Sequence, residues 1–170
     1  MALMTRIMDY QKAKVKRAFE FFVADLHEAF VIDFRLAEGL ARQSWFTEEF
    51  GSVGDVISYC GMKESHGHRF VEDGHWDFNL WFPSYKVTKF DMLVELAHAL
   101  VDEESLEALH GQEFLRRLLY MVQHEYGVNY RDSLRNRFLK QKVSTEGYDI
   151  EWFVANEARK RKARTAVAAG

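Results

Sequence analysis

The segment Lys89–Gly127 constrains the fold of this 170-residue chain more than any other. It begins with a nearly continuous apolar run, which predicts a helix that ends near Val101 and has Thr88 as its N-cap. An acidic stretch follows, and Gly111 then precedes a second amphipathic pattern that extends to Tyr126. The segment therefore predicts two helices joined by a short acidic loop.

Composition favours a single domain of ordinary character. Hydrophobic residues make up 48% of the chain and charged residues 29%, as in many globular proteins. Aromatic residues reach 15%, with fourteen Phe, and predict a core built from large rings. The length predicts one domain over residues 1–150, followed by a C-terminal helix and basic tail at 151–170.

The sequence also indicates the cellular compartment in which the protein is expected. Cys60 is the only cysteine, so no disulfide framework is possible within one chain. No apolar run approaches the ~20 residues that span a bilayer, and the N-terminus lacks a signal-peptide pattern. We expect a cytoplasmic protein with no membrane partner.

Charge is distributed unevenly along the chain. The net charge is −3, yet residues 156–170 hold five basic residues against one acidic residue, which leaves −7 for the remainder. Such a short basic tail either contacts nucleic acid or is simply a solvated end. Its basic residues are Arg159, Lys160, Arg161, Lys162 and Arg164.

The other predicted elements complete an α+β fold in which helices dominate. Period-2 alternation within Ser65–Pro83 predicts a β-hairpin, whereas His27–Arg35 suits a strand or a helix. Ser52 is a plausible N-cap, with Asp55 three residues on, for a helix of about ten residues. Further helices are predicted at Asp9–Ala24, Arg131–Lys142 and Tyr148–Lys162.

The first long helix carries residues that suit zinc chemistry. A zinc hydrolase uses two His one turn apart on a helix and a Glu that takes a proton from the metal-bound water. Glu95 occupies the general-base position and His98 the second-ligand position. His110, followed by Gly111, suits a third ligand. Val94 stands where the first His ligand is expected.

These residues resemble a known family. Val94–Leu100, followed after a short linker by His110-Gly-Gln-Glu-Phe114, is similar to the HELAHxL…HGxxF core of SprT-like zincins. The similarity is closer still to a small family of metallohydrolase-like proteins of actinobacteria and their phages. Residues 9–15, residues 50–56 and the strand that ends at Pro83 resemble that family in the same order.

The resemblance implies a zincin-like α+β fold with a small antiparallel or mixed sheet beside the metal-site helix. It also implies a zinc ion held by three His, with a Glu that activates water for peptide hydrolysis. Glu95, His98 and His110 match this pattern, and Val94 departs from it because a valine side chain carries no donor atom.

Other residues could replace the missing ligand. Asp102 follows His98 by four residues and would face the same way on a continuing helix. Glu95 could itself coordinate. The histidines before and within the predicted hairpin are a further source of donors, although histidines in a polar loop are usually only solvated: His66, His68 and His75.

Two competing interpretations involve the same residues. Glu95–His98 and Glu107–His110 both have the Glu-x-x-His form of di-iron bundles, but twelve residues leave no room for two long facing helices. More simply, His98 would be a hydrogen-bonded core histidine and Glu95 an ion-pair partner of Lys89, Arg116 or Arg117.

The leading hypothesis is a zincin-type metallopeptidase-like protein that is impaired or inactive as a peptidase. Its catalytic residue would be Glu95, and a weakened zinc site would use His98, His110 and Asp102. The alternative is a non-catalytic module that keeps the zincin cleft and binds a protein, a peptide or, through its tail, nucleic acid.

Overall fold

A computed structural model describes residues 2–31, 33–61, 66–72, 74–84, 86–101, 111–143, 161–162 and 164–165. These residues form an α+β fold in which helices dominate, as the sequence predicts. The helices are α1 (Ala2–Leu26), α2 (Arg35–Ala41), α3 (Ser44–Phe50), α4 (Lys89–Leu100), α5 (Gln112–Tyr126) and α6 (Val128–Lys140). The strands are β1 (Phe30–Val31), β2 (Val53–Cys60), β3 (His66–Glu72), β4 (His75–Phe82) and β5 (Val87–Thr88).

The larger sheet is mixed and has three strands in the order β2-β4-β3. The predicted hairpin is confirmed, because β3 pairs with β4 in antiparallel register, with Gly67 opposite Leu80. The central strand buries Phe78, Leu80 and Phe82 at alternate positions, as expected for a half-buried strand. The two-residue strands β1 and β5 pair separately, just before α4 begins.

The helix predicted after Ser52 is wrong. Residues Val53–Cys60 form strand β2, which runs parallel to β4. From Gly54 to Cys60, half-buried and exposed positions alternate strictly, a period of two that a helix cannot produce. The β-branched residues Val56 and Ile57 also fit a pleated surface better than a helix.

The segment between α1 and β2 is also more helical than its sequence suggests. His27–Arg35 contains the short strand β1, and two helices of seven residues, α2 and α3, follow it. Tertiary packing explains them, since both bury apolar side chains in the core, among them Leu40 and Phe46.

Large rings join the helices into one core, as the composition predicts. Phe19 of α1 packs edge-on against Phe90 of α4, with ring centroids 5.4 Å apart. The same ring contacts Phe114 of α5 at 6.4 Å and Phe138 of α6 at 6.0 Å. One phenylalanine therefore ties α1 to the three helices of the C-terminal half.

The helix predicted at Tyr148–Lys162 falls mostly outside the described residues. Arg161 and Lys162 are helical and exposed. Arg164 donates from Nη1 to the carbonyl oxygen of Glu48 at 2.9 Å, which places this part of the basic tail beside α3.

Candidate functional site

Helix α4 is fixed at its N-terminus by a capping box. The Thr88 hydroxyl accepts a hydrogen bond from the Asp91 amide at 3.1 Å, and the Asp91 carboxylate accepts one from the Thr88 amide at 2.9 Å. Two backbone amides that begin the helix are thereby satisfied. Glu95 and His98 lie one turn apart on this helix, at the spacing that places side chains on one face.

Glu95 is almost fully buried, with 5% of its surface exposed. Burial raises the pKa of its carboxyl to about 8, and the negative charge of Asp91 adds to this effect. Its Oε2 atom is buried and has no hydrogen-bond partner within the described part of the chain. Around neutral pH this side chain is therefore mainly a neutral carboxylic acid.

Two of the three cations considered as partners of Glu95 pair with other carboxylates. Lys89 lies 3.3 Å from a carboxylate oxygen of Glu125, and Arg117 pairs with Glu113 one turn away on α5. No described cation forms an ion pair with Glu95. Among the described residues, its burial therefore lacks the ion pair that usually accompanies a carboxylate in a core.

Strand β3 lies directly against α4 at this point. A Cβ atom built on Gly67 would collide with the carbonyl oxygen of Glu95 and would also touch the side chain of Ala99. Arg69, two residues on, donates to the carbonyl oxygen of Leu100 at 2.9 Å. The edge strand of the sheet therefore covers the part of α4 that carries Glu95. The sequence shows Gly67 only as part of a hairpin, so its role is visible only in the structure.

His98 is positioned by a ring of the next helix. Its imidazole stacks on Phe114 of α5, with centroids 4.1 Å apart and an angle of 19° between the planes. The sequence predicts Phe114 as a core residue, and its complete burial confirms this. The stacking adds a second role, because it holds the imidazole plane parallel to a fixed neighbour.

The described residues do not form a complete zinc site. Val94 is buried in the core and offers no donor atom, so of the expected zinc motif α4 provides Glu95 and His98 alone. No cluster of three or more potential metal-binding side chains occurs within the described ranges. Asp102 and His110, the other expected ligands, lie outside those ranges.

The histidines of the hairpin divide into two groups. His75 begins β4 and lies 3.5 Å from a carboxylate oxygen of Asp77. It is five residues along β4 from Leu80, the partner of Gly67, or about 16 Å at the usual rise of a strand. His75 is therefore remote from Glu95. His66 and His68 flank Gly67 in β3, where only their backbone is described.

None of the protein-family models, curated proteins or solved structures compared with this chain matches it. Within the described ranges, no helix is both long and apolar enough to cross a bilayer. The proposal for function therefore depends on the residues of α4 and the elements packed against it.

Proposed function

We propose that this chain is a zincin-type metallopeptidase-like protein that is impaired or inactive as a peptidase. The buried carboxyl of Glu95 carries the proposal. An acidic side chain with an unpartnered oxygen is costly in a core and is typical of functional sites. Its position three residues before His98, under an edge strand, matches the arrangement that the resemblance implies.

Val94 explains why peptide hydrolysis would be impaired. It removes one of the three donors that the family pattern needs, so the remaining donors would bind zinc weakly.

Zinc content measured by elemental analysis tests this proposal. We expect the wild-type protein, dialysed against excess zinc and then buffer, to retain much less than one zinc per chain. Val94→His should raise the zinc content towards one, because it restores two histidines one turn apart on α4. Adding His98→Ala to that variant should abolish the gain.

Val94→Asn is the matched control, since it places a polar side chain at the same buried position without an imidazole. Near-stoichiometric zinc in the wild-type protein, lost in both His98→Ala and His110→Ala, would show that the site is intact. A Val94→His variant that folds but binds no more zinc than Val94→Asn would contradict the zincin assignment.

A non-catalytic binding module is the second candidate, and the outer face of the larger sheet favours it. Ile57, Tyr59 and Phe70 are exposed there, and Trp81 stacks on Tyr59 with ring centroids 5.5 Å apart. Exposed aromatic residues on neighbouring strands are typical of surfaces that bind a protein or peptide partner. Such a module would need no metal, and little zinc in the wild-type protein is expected from both candidates, whereas near-stoichiometric zinc there would count against the module.

A further inference from the structure

A row of basic and aromatic side chains crosses the outer surface where α1 meets α6. On α1, Tyr10, Lys14, Arg17 and Phe21 follow one another at intervals of four, three and four residues, which places them on one face of the helix. This face flanks the buried side, which carries Val15, Ala18 and Phe22.

Helix α6 extends the row with two more cations. Arg137 donates to Asp25 at 2.8 Å and lies 5.3 Å above the ring of Phe21, so it adjoins the α1 face directly. Lys140 is one turn further along α6 and is exposed. Phe22 contacts Tyr130 and Phe19 contacts Phe138, so the two helices run antiparallel and Lys140 lies beyond Arg137 in the direction of Arg17 along α1. We call Lys14, Arg17, Arg137 and Lys140, with Tyr10 and Phe21, the basic stripe.

The positive charge of this surface is largely uncompensated. Asp25 neutralises Arg137, whereas Arg17 and Lys140 form no ion pair with any described carboxylate. Segments 10–26 and 128–143 together hold nine basic and three acidic residues, a net +6 in a chain whose net charge is −3. The rest of the chain therefore carries −9, so these two segments are strongly basic relative to it.

The aromatic rings of the stripe are displayed among its cations. Tyr10 has 66% of its surface exposed, and the Lys14 ammonium lies 4.1 Å from its ring centroid. Phe21 is exposed beside Arg137. Cations that follow a backbone, interleaved with rings on which bases stack, form the usual surface for single-stranded nucleic acid.

We propose that the basic stripe binds single-stranded nucleic acid, with its cations on the phosphates and its two rings on the bases. An anionic membrane surface fits less well, because membrane-surface helices bury an apolar face in the lipid. The apolar face of α1 is already packed against the protein core. The proposal does not depend on Glu95, and it assigns the binding to the folded helices rather than to the basic tail.

Fluorescence anisotropy with a labelled oligothymidylate longer than ~16 nucleotides tests the proposal over a range of salt concentrations. We expect the full-length protein to bind it, with an affinity that falls as salt increases. Arg17→Gln/Lys140→Gln should weaken binding and make the log–log salt dependence shallower by about 1.4, at ~0.7 per phosphate contact. Tyr10→Ala/Phe21→Ala removes two stacking rings and should weaken binding by about thirtyfold or more, with little change in that slope.

Arg161→Gln/Lys162→Gln is the matched control, because it removes the same charge from exposed positions in the tail and should leave binding unchanged. Circular dichroism establishes that each variant is folded. The proposal fails if the wild-type protein does not bind at low salt, or if the tail variant loses as much affinity as the stripe variant. Binding to vesicles with anionic lipid, or to duplex DNA, in preference to the oligothymidylate would also overturn it.

Discussion

Glu95 is the residue at which the local sequence and the tertiary environment conflict most. In the sequence it is an acidic residue within an apolar helix, and several cations lie close enough along the chain to pair with it. In the structure it is buried beneath β3, and its nearest charged influence is Asp91, which has the same sign. Both effects favour the protonated form of the carboxyl, so a neutral acid is held in the core.

This environment makes stability depend on pH. The pKa of Glu95 is raised in the folded protein to about 8 from its ordinary value of 4.5, so the folded state binds more protons than the unfolded state between these values. The free energy of unfolding should therefore fall as pH rises from about 5 to 8, by up to ~1.4 kcal/mol per pH unit. Below about pH 5, Glu95 is protonated in the folded protein and causes no loss in the free energy of unfolding.

Glu95→Gln should remove this dependence, since the amide stays neutral at every pH. We expect urea denaturation to give the variant a stability close to wild type near pH 5 and a clear advantage at pH 8. Glu20→Gln makes the same change at an exposed position of α1 and serves as the control. Parallel stability curves for wild type and Glu95→Gln across this range would show that Glu95 is not buried as a neutral acid.

Gly67 makes the close contact between β3 and α4 possible. We predict that Gly67→Ala destabilises the protein by several kcal/mol, because the added methyl group would meet the rigid backbone carbonyl of Glu95. Gly39→Ala is the control: the position is exposed within α2, and nothing lies within 4 Å of an added Cβ. It should stabilise the protein by about 0.5–1 kcal/mol. If Gly67→Ala and Gly39→Ala changed the free energy of unfolding equally in thermal or chemical denaturation, the close approach of β3 to α4 would be contradicted.

At the scale of elements, Glu28 joins three parts of the chain. One oxygen of its carboxylate accepts a hydrogen bond from the Phe90 amide at 2.9 Å, and the other accepts one from the Tyr126 hydroxyl at 2.7 Å. The segment after α1 is thereby attached to the first turn of α4 and the last turn of α5. Burial and this hydrogen bond raise the pKa of Tyr126, so the phenol stays protonated and continues to donate.

We predict that Glu28→Ala lowers the free energy of unfolding by about 1–3 kcal/mol, because a backbone amide and a phenol both lose their acceptor. Tyr126→Phe should cost about 1 kcal/mol. The double variant should lose less than the two single variants together, since they remove the same hydrogen bond. Additive losses in urea denaturation would show that the two side chains act independently.

Glu38→Ala serves as the control, because it removes a glutamate from an exposed ion pair with Arg42. It should lower the free energy of unfolding by only a few tenths of a kcal/mol.

The elements also differ in how well their sequences predict them. Helices α4 and α5 were predictable because their apolar spacing and capping residues lie within the elements themselves. Strand β2 was not, because Ser52 and Asp55 mimic a helix start, and its pairing partner β4 lies about twenty residues further along the chain. Short helices such as α2 have little intrinsic stability and depend on the core that they cover.

For the whole molecule, two candidate surfaces use different elements. The Glu95 site lies where β3 covers α4, whereas the basic stripe lies on α1 and α6. Phe19 connects the two regions, since its ring contacts both Phe90 of α4 and Phe138 of α6. Positive charge is therefore not confined to the basic tail, since segments 10–26 and 128–143 carry a net +6.

The sequence by itself determined the α+β composition, the capped helix that carries Glu95 and His98, the hairpin and the aromatic core. These features follow from residue spacing within single elements, where side-chain periodicity and capping chemistry act locally. The presence of Val94 in the place of a ligand is likewise visible in the sequence alone.

Only the tertiary structure decided that Glu95 is neutral, that His98 stacks on Phe114 and that Gly67 lies against α4. It also decided that cations of α1 and α6, more than a hundred residues apart in sequence, lie on adjoining surfaces. Each of these depends on residues distant in sequence that come together through packing, and burial then sets the energy of the charges they carry.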